Sequence, residues 1–123
     1  MINSKKLICE ILEDTRIVAL VDDDNILDSY PDEVVNFPCI VYTDIGQNDR
    51  EFADNKPIAT AFNIQIDIFT KALENYPTAT EIGMVVAEVM KENYFTLSST
   101  NDVPDVVDNI RHRVMNFRKD LLS

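Results

Sequence analysis

Glycine is scarce in this chain, with two in 123 residues. A phosphate-cradling loop needs glycine where the backbone approaches the anion, so that class of nucleotide site is disfavoured. Cysteine is equally scarce. Cys9 and Cys39 are far apart and lack the paired spacing of a zinc site, and reduced thiols in a cytosolic setting are the default expectation. His112 is the one histidine, and one histidine cannot build a zinc centre. No apolar run approaches the length of a membrane span. The opening Met1-Ile2-Asn3-Ser4-Lys5-Lys6 leads into apolar residues interrupted by Glu10, Glu13 and Asp14, so no signal peptide is expected. Positive charge is also in short supply: 11 basic against 22 acidic residues leave a net charge of −11. Affinity for nucleic acid comes chiefly from basic groups displacing counterions, which disfavours a DNA-binding regulator. The same charge suits a protein past which DNA must slide without sticking.

What remains is an ordinary globular composition, with length for one domain, residues 1–123, and one core. Leu7, Ile8, Ile11 and Leu12 recur at helical spacing and predict a first helix from about Asn3 or Ser4. Ile17-Val18-Ala19-Leu20-Val21 fits either a continuation of that helix or a short strand. Phe37-Pro38-Cys39-Ile40-Val41-Tyr42-Thr43 predicts a strand with proline at its start, where a missing N–H is tolerated. From Ile58 to Phe69 the alternation is clear. Ile58, Phe62, Ile64, Ile66 and Ile68 share one face and Asn63, Gln65 and Asp67 the other, which predicts one buried and one wet face. Gly46 to Asn55, between these strands, is polar and longer than a tight hairpin turn needs, and predicts a projecting or flexible loop. Thr78 and Glu81 form a capping box after Pro77, and Ile82, Val85, Val86, Val89 and Met90 form a helical stripe that stops near Asn93. Strands are expected near Tyr94–Ser98 and Ile110–Arg118, with Ser98-Ser99-Thr100-Asn101 as a turn. The fold class is therefore α+β: one antiparallel sheet of about four strands against two helices, in the order α-ββ-α-ββ.

Few residues suggest chemistry. A metal-dependent nuclease reading starts from Asp32, Asp67 and Lys71, but the last two are four apart on a strand, too distant for one site. Asp22-Asp23-Asp24 lacks the glycine and the alternating oxygen ligands of a calcium loop, and Ile26 and Leu27 stand where ligands should continue. No nucleophile has a base at a meaningful spacing. No enzymatic activity, cofactor or metal is expected. Arg111, Arg113, Arg118 and Lys119 collect on one strand. They read either as charges guarding a solvated edge or as a basic patch that meets an acidic surface on an identical neighbour. Arg50 and Phe52 stand in the polar Gly46–Asn55 segment. Phe52 is its one large apolar residue and a natural anchor for a partner.

Taken in order, several strings resemble the tail terminator and tail completion (head–tail joining) proteins of long-tailed phages and prophages. They are Tyr30-Pro31 leading to Phe37-Pro38-Cys39-Ile40-Val41-Tyr42, then Gln65-Ile66-Asp67-Ile68-Phe69-Thr70-Lys71, the helix from Thr78, and Arg111-His112-Arg113-Val114-Met115-Asn116-Phe117. Cys39 stands where that family commonly has an aromatic. The resemblance implies a structural virion protein without cofactor, assembled in the host cytoplasm and located at the tail–neck junction. Such a protein forms a ring, usually a homohexamer, that caps the tail tube and ends its polymerisation. It meets the tail tube protein and the neck or connector proteins, while DNA passes through the lumen. Neck joining proteins share size and fold, so the resemblance covers both roles. A small dimeric α+β module that binds a ligand or protein is the competing class.

Overall fold

The structure is a computed structural model. It describes residues 4–28, 36–53, 56–73, 77–103 and 109–122, and of residues 4, 47–53, 56–60 and 121–122 the backbone alone. The elements are α1 (Ser4–Leu12), α2 (Thr15–Val18), a 3-10 turn (Asp23–Asn25), β1 (Ile26–Leu27), β2 (Cys39–Ala53), β3 (Lys56–Lys71), α3 (Ala79–Glu92), β4 (Thr96–Val103) and β5 (Ile110–Leu122). The sheet order is β1-β2-β3-β5-β4. β2, β3, β5 and β4 pair antiparallel, whereas β1 pairs parallel to β2.

The α+β class stands, with a five-stranded mixed sheet and three helices where about four antiparallel strands and two helices are expected. The additions are short. Asp14 caps α2 by accepting from the Arg16 N–H, which settles the Ile17–Val21 run as a helical turn that buries Ile17 and Val21. β1 has two residues and exists only because it lies against Ile40 and Val41. A pairing of that length leaves no period in the sequence.

The core forms where the apolar faces predict it. Ile8, Ile11 and Leu12 of α1, the Ile82, Val86, Val89 and Met90 stripe of α3, and Phe62, Ile64, Ile66 and Ile68 of β3 join one buried cluster, with Val85 partly buried against it. Thr78 caps α3 by accepting from the Glu81 N–H at 3.0 Å. Asn93 ends it, and the chain leaves through Tyr94 at φ 68°. There the Tyr94 and Phe95 N–H groups donate to Lys91 and Met90 carbonyls, a Schellman closure with tyrosine where glycine is usual.

Two predicted breaks are strands. The sequence from Gly46 onward is no loop: Ile45 forms a one-residue bulge between Asp44 and Gly46, and the ladder runs on to Ala53 opposite Lys56. Gly46 takes φ +153°, open to glycine but not to other residues, and its N–H donates to Asp44 Oδ1 at 2.9 Å. Ser98 to Asn101 is no turn but the middle of β4, paired with β5 through a second bulge between Leu97 and Ser99. In both segments cross-strand hydrogen bonds outweigh local turn preference. Asp54, Asn55, Tyr30, Pro31, Asp32, Pro104 and Asp105 lie outside the described residues.

Candidate functional site

Pairing register assigns each residue of β5 to a face. Ile68 opposes Arg113, Ile66 opposes Met115 and Ile64 opposes Phe117, so Arg111, Arg113 and Lys119 stand on the face that carries the helices. Phe69 opposes His112 and Asn63 opposes Arg118, which places His112 and Arg118 on the other face. The basic strand is thus split. It brings Arg111 and Arg113 together, and sets Arg118 apart from them.

On the helical face, Arg113 reaches across to its register partner Asp102 at 3.2 Å. Its stem runs so close to α3 that a methyl group built on Gly83 would lie 3.1 Å from Arg113 Cδ and Nε. The Nε is buried and finds no hydrogen-bond partner among the described residues. Arg113 is therefore part of the packing between α3 and the sheet as well as a charge. Lys119 lies over the Tyr94 and Phe95 rings, 5.7 and 5.4 Å from their centroids. Arg118 pairs along its own strand with Asp120 at 3.3 Å. Arg50 and Phe52 fall on β2, opposite Ala59 and Pro57 in register; their side chains lie outside the described residues.

The other face is not the wet face that alternation predicts. Asp67 is fully buried there opposite Val41, and Cys39 and Ala61 of the same face are also buried. The Asp67 carboxylate meets His112 Nε2 at 2.8 Å and accepts from Gln65 Nε2 at 3.1 Å, and the His112 ring stacks on Phe69 at 4.1 Å. Asp67 is buried because its hydrogen-bonding capacity is met within the sheet, which binary patterning does not register. This network escapes sequence reasoning because Asp67 and His112 are 45 residues apart. The one hint is an acid between Ile66 and Ile68, in the isoleucine-rich half of β3. Lys71 Nζ lies over the Phe37 ring, 5.4 Å from its centroid. Asp22, Asp23 and Asp24 sit exposed at the 3-10 turn.

A cavity of about 480 Å³ opens where β3 and β5 meet the start of α3, lined by Thr70, Leu73, Thr80, Asp102, Arg111 and His112 among others. Thr70 is buried at its wall and donates to the Pro77 carbonyl at 2.9 Å. Among the described residues no helix is long and apolar enough to cross a membrane. No protein-family model matches the chain, and no curated protein is significantly similar to it.

Proposed function

We propose that this chain is a structural assembly protein that forms a ring, a homohexamer as in the tail terminators it resembles. The ring caps the tail tube at the tail–neck junction of a virion and ends tail polymerisation. DNA passes through its lumen, and the net charge of −11 suits a lumen to which DNA does not adhere. The role is one of binding, not catalysis, and needs no cofactor.

The observation that carries this reading is the length of the β2–β3 hairpin. Its strands have 15 and 16 residues, or roughly 50 Å at about 3.3 Å per residue. The longest described helix, α3, has 14 residues, or about 21 Å at 1.5 Å per residue. The β3 residues that join the helical core run from Phe62 to Ile68, and the β2–β3 ladder continues beyond them to Ala53 and Lys56. An arm of this kind, bearing Arg50 and Phe52, suits contact with a neighbouring subunit or with the tube. The same arm serves a neck joining protein equally well. The cavity beside Arg111 favours the competing reading, a dimeric ligand-binding module.

The test is to add the purified protein to polymerising tail tubes and to image their ends by electron microscopy. Rings seated on tube ends and a sharp upper limit to tube length are expected. A protein that leaves tube lengths unchanged and is absent from their ends refutes the reading. Phe52→Asp and Arg118→Glu are expected to weaken capping while leaving the monomer folded.

A further inference from the structure

The sheet ends in two open edges, and they differ in kind. β4 is one. Seven of its eight residues are exposed, and Thr96 to Asn101 contain no charge and no proline. Monomeric proteins commonly guard such an edge with lysine, proline or inward charges. On the opposite side, β1 pairs with β2 at Ile40 and Val41; among the described residues no further strand lies along β2 from Gln47 to Ala53 on that side.

Exposed apolar side chains gather beside both edges. Leu97 lies on β4 and is 42% exposed, and Tyr94, 82% exposed, stands just before it. Tyr94 is held at φ 68°, a left-handed conformation in which glycine would be less strained. Ile45, 51% exposed, is the bulged residue of β2.

Charge also separates between the edges. Immediately behind β4, strand β5 carries Arg111, Arg113, Arg118 and Lys119 against the single acid Asp120. Between Gln47 and Ala53, β2 carries Asp49 and Glu51 against the single base Arg50. Strand direction fits as well. β4 runs opposite to β5, β5 opposite to β3 and β3 opposite to β2, so β4 and β2 run in opposite senses. A rotation that preserves strand direction sets β4 of one copy antiparallel to β2 of the next, the more stable arrangement.

We infer that β4, from Ser99 to Val103, pairs with the β2 edge between Gln47 and Ala53 of a second copy of this chain, so that one sheet continues across the subunit boundary. This deepens the ring reading, from which it takes only that copies associate head to tail. A two-fold β4–β4 pairing closes one edge of each copy and leaves every β2 edge open; the head-to-tail joint closes both. It also sets the basic side of each copy against the acidic arm of the next, which fixes register and partner orientation.

The experiment uses full-length protein with Cys9→Ser and Cys39→Ala to remove the native thiols. One population carries Asn101→Cys, and others carry single cysteines stepped through Gln47, Asn48, Asp49 and Glu51. Disulfide formation is followed in each population alone and in mixtures, with native mass spectrometry of the same samples. Crosslinks are expected in mixtures, at one or two arm positions, and not within either population alone. Backbone amides of Ser99–Val103 are expected to exchange at least roughly tenfold more slowly in the assembly than in the monomer. Self-crosslinking of Asn101→Cys alone overturns the proposal in favour of a two-fold dimer. Oligomers without any β4–β2 crosslink or amide protection overturn the joint and leave the ring reading standing. Crosslinked rings that fail to cap tail tubes support the joint and remove the tail-terminator reading. Monomers at every concentration overturn both.

Discussion

Replacing Arg113 with glutamate separates a packing role from a purely electrostatic one. Three effects act in the same direction. The ion pair with Asp102 is lost; because Asp102 is 74% exposed, that pair is worth only about 0.5 kcal/mol. The new carboxylate directly opposes Asp102 in register, and like charges so placed cost about another 0.5 kcal/mol. The shorter side chain also abandons the contact of the arginine stem with α3 at Gly83, worth roughly 1 kcal/mol of buried apolar area. The sum is about 2 kcal/mol, or roughly 8 °C in melting temperature for a domain of this size. Arg118→Glu is the control. That side chain lies on the other face and pairs along its own strand with Asp120, at 3.3 Å, so about 0.5 kcal/mol and roughly 2 °C are expected. Differential scanning calorimetry of the two variants beside the parent protein measures both numbers. Equal shifts for Arg113→Glu and Arg118→Glu would mean that the Gly83 contact contributes nothing and that this strand is only a solvated charged surface.

Ile66 is fully buried at the centre of β3, and Ile66→Ala is expected to cost roughly 2–5 kcal/mol in urea denaturation; a loss below about 0.5 kcal/mol contradicts the assignment of that face to the core. Thr78→Ala removes the acceptor for the Glu81 N–H and should cost about 1 kcal/mol, whereas Thr78→Ser should be close to neutral in the same assay. Burial pushes the Cys39 thiol from 9.0 up to about 11. The folded value lies above the unfolded one, so the associated stability is intact below pH 9 and is lost as the pH rises from 9 toward 11. Denaturant midpoints across that range should fall less steeply for Cys39→Ala than for the parent. Tyr42, its phenol raised first by burial and then by its hydrogen bond with Cys9, acts in the same direction only above pH 10, and is present in both proteins. In a Cys9→Ser background, alkylation of native Cys39 at pH 8 should be far slower than in urea, and equal rates would contradict its burial.

The periodic stretches were legible because their information is local. α1 repeats its apolar residues at helical spacing, α3 adds a Thr78 cap and an Asn93 stop, and β3 alternates over its apolar half. Each pattern survives folding because it states which face leaves water, and burial of apolar area dominates the energetics. The two predicted breaks failed for the converse reason. Gly46 and Ser98–Asn101 carry local turn preferences worth fractions of a kcal/mol, while β3 and β5 offer them complete hydrogen-bonded ladders.

By itself the sequence determined the class, one acidic α+β domain, and the apolar faces of α1, β3 and α3, since period and composition suffice for those. The tertiary structure alone decided the rest, because each remaining feature depends on residues far apart in the chain. Register placed Arg113 against Gly83 and Asp102, and sent Arg118 to the opposite face. Register also brought His112 and Gln65 to Asp67, so that a carboxylate on the nominally wet face is buried with its hydrogen bonds made. Among the described residues, the order β1-β2-β3-β5-β4 left β4 and the far end of β2, from Gln47 to Ala53, as edges. Which strand lies at an edge is a property of the whole sheet and is written in no single segment of the chain.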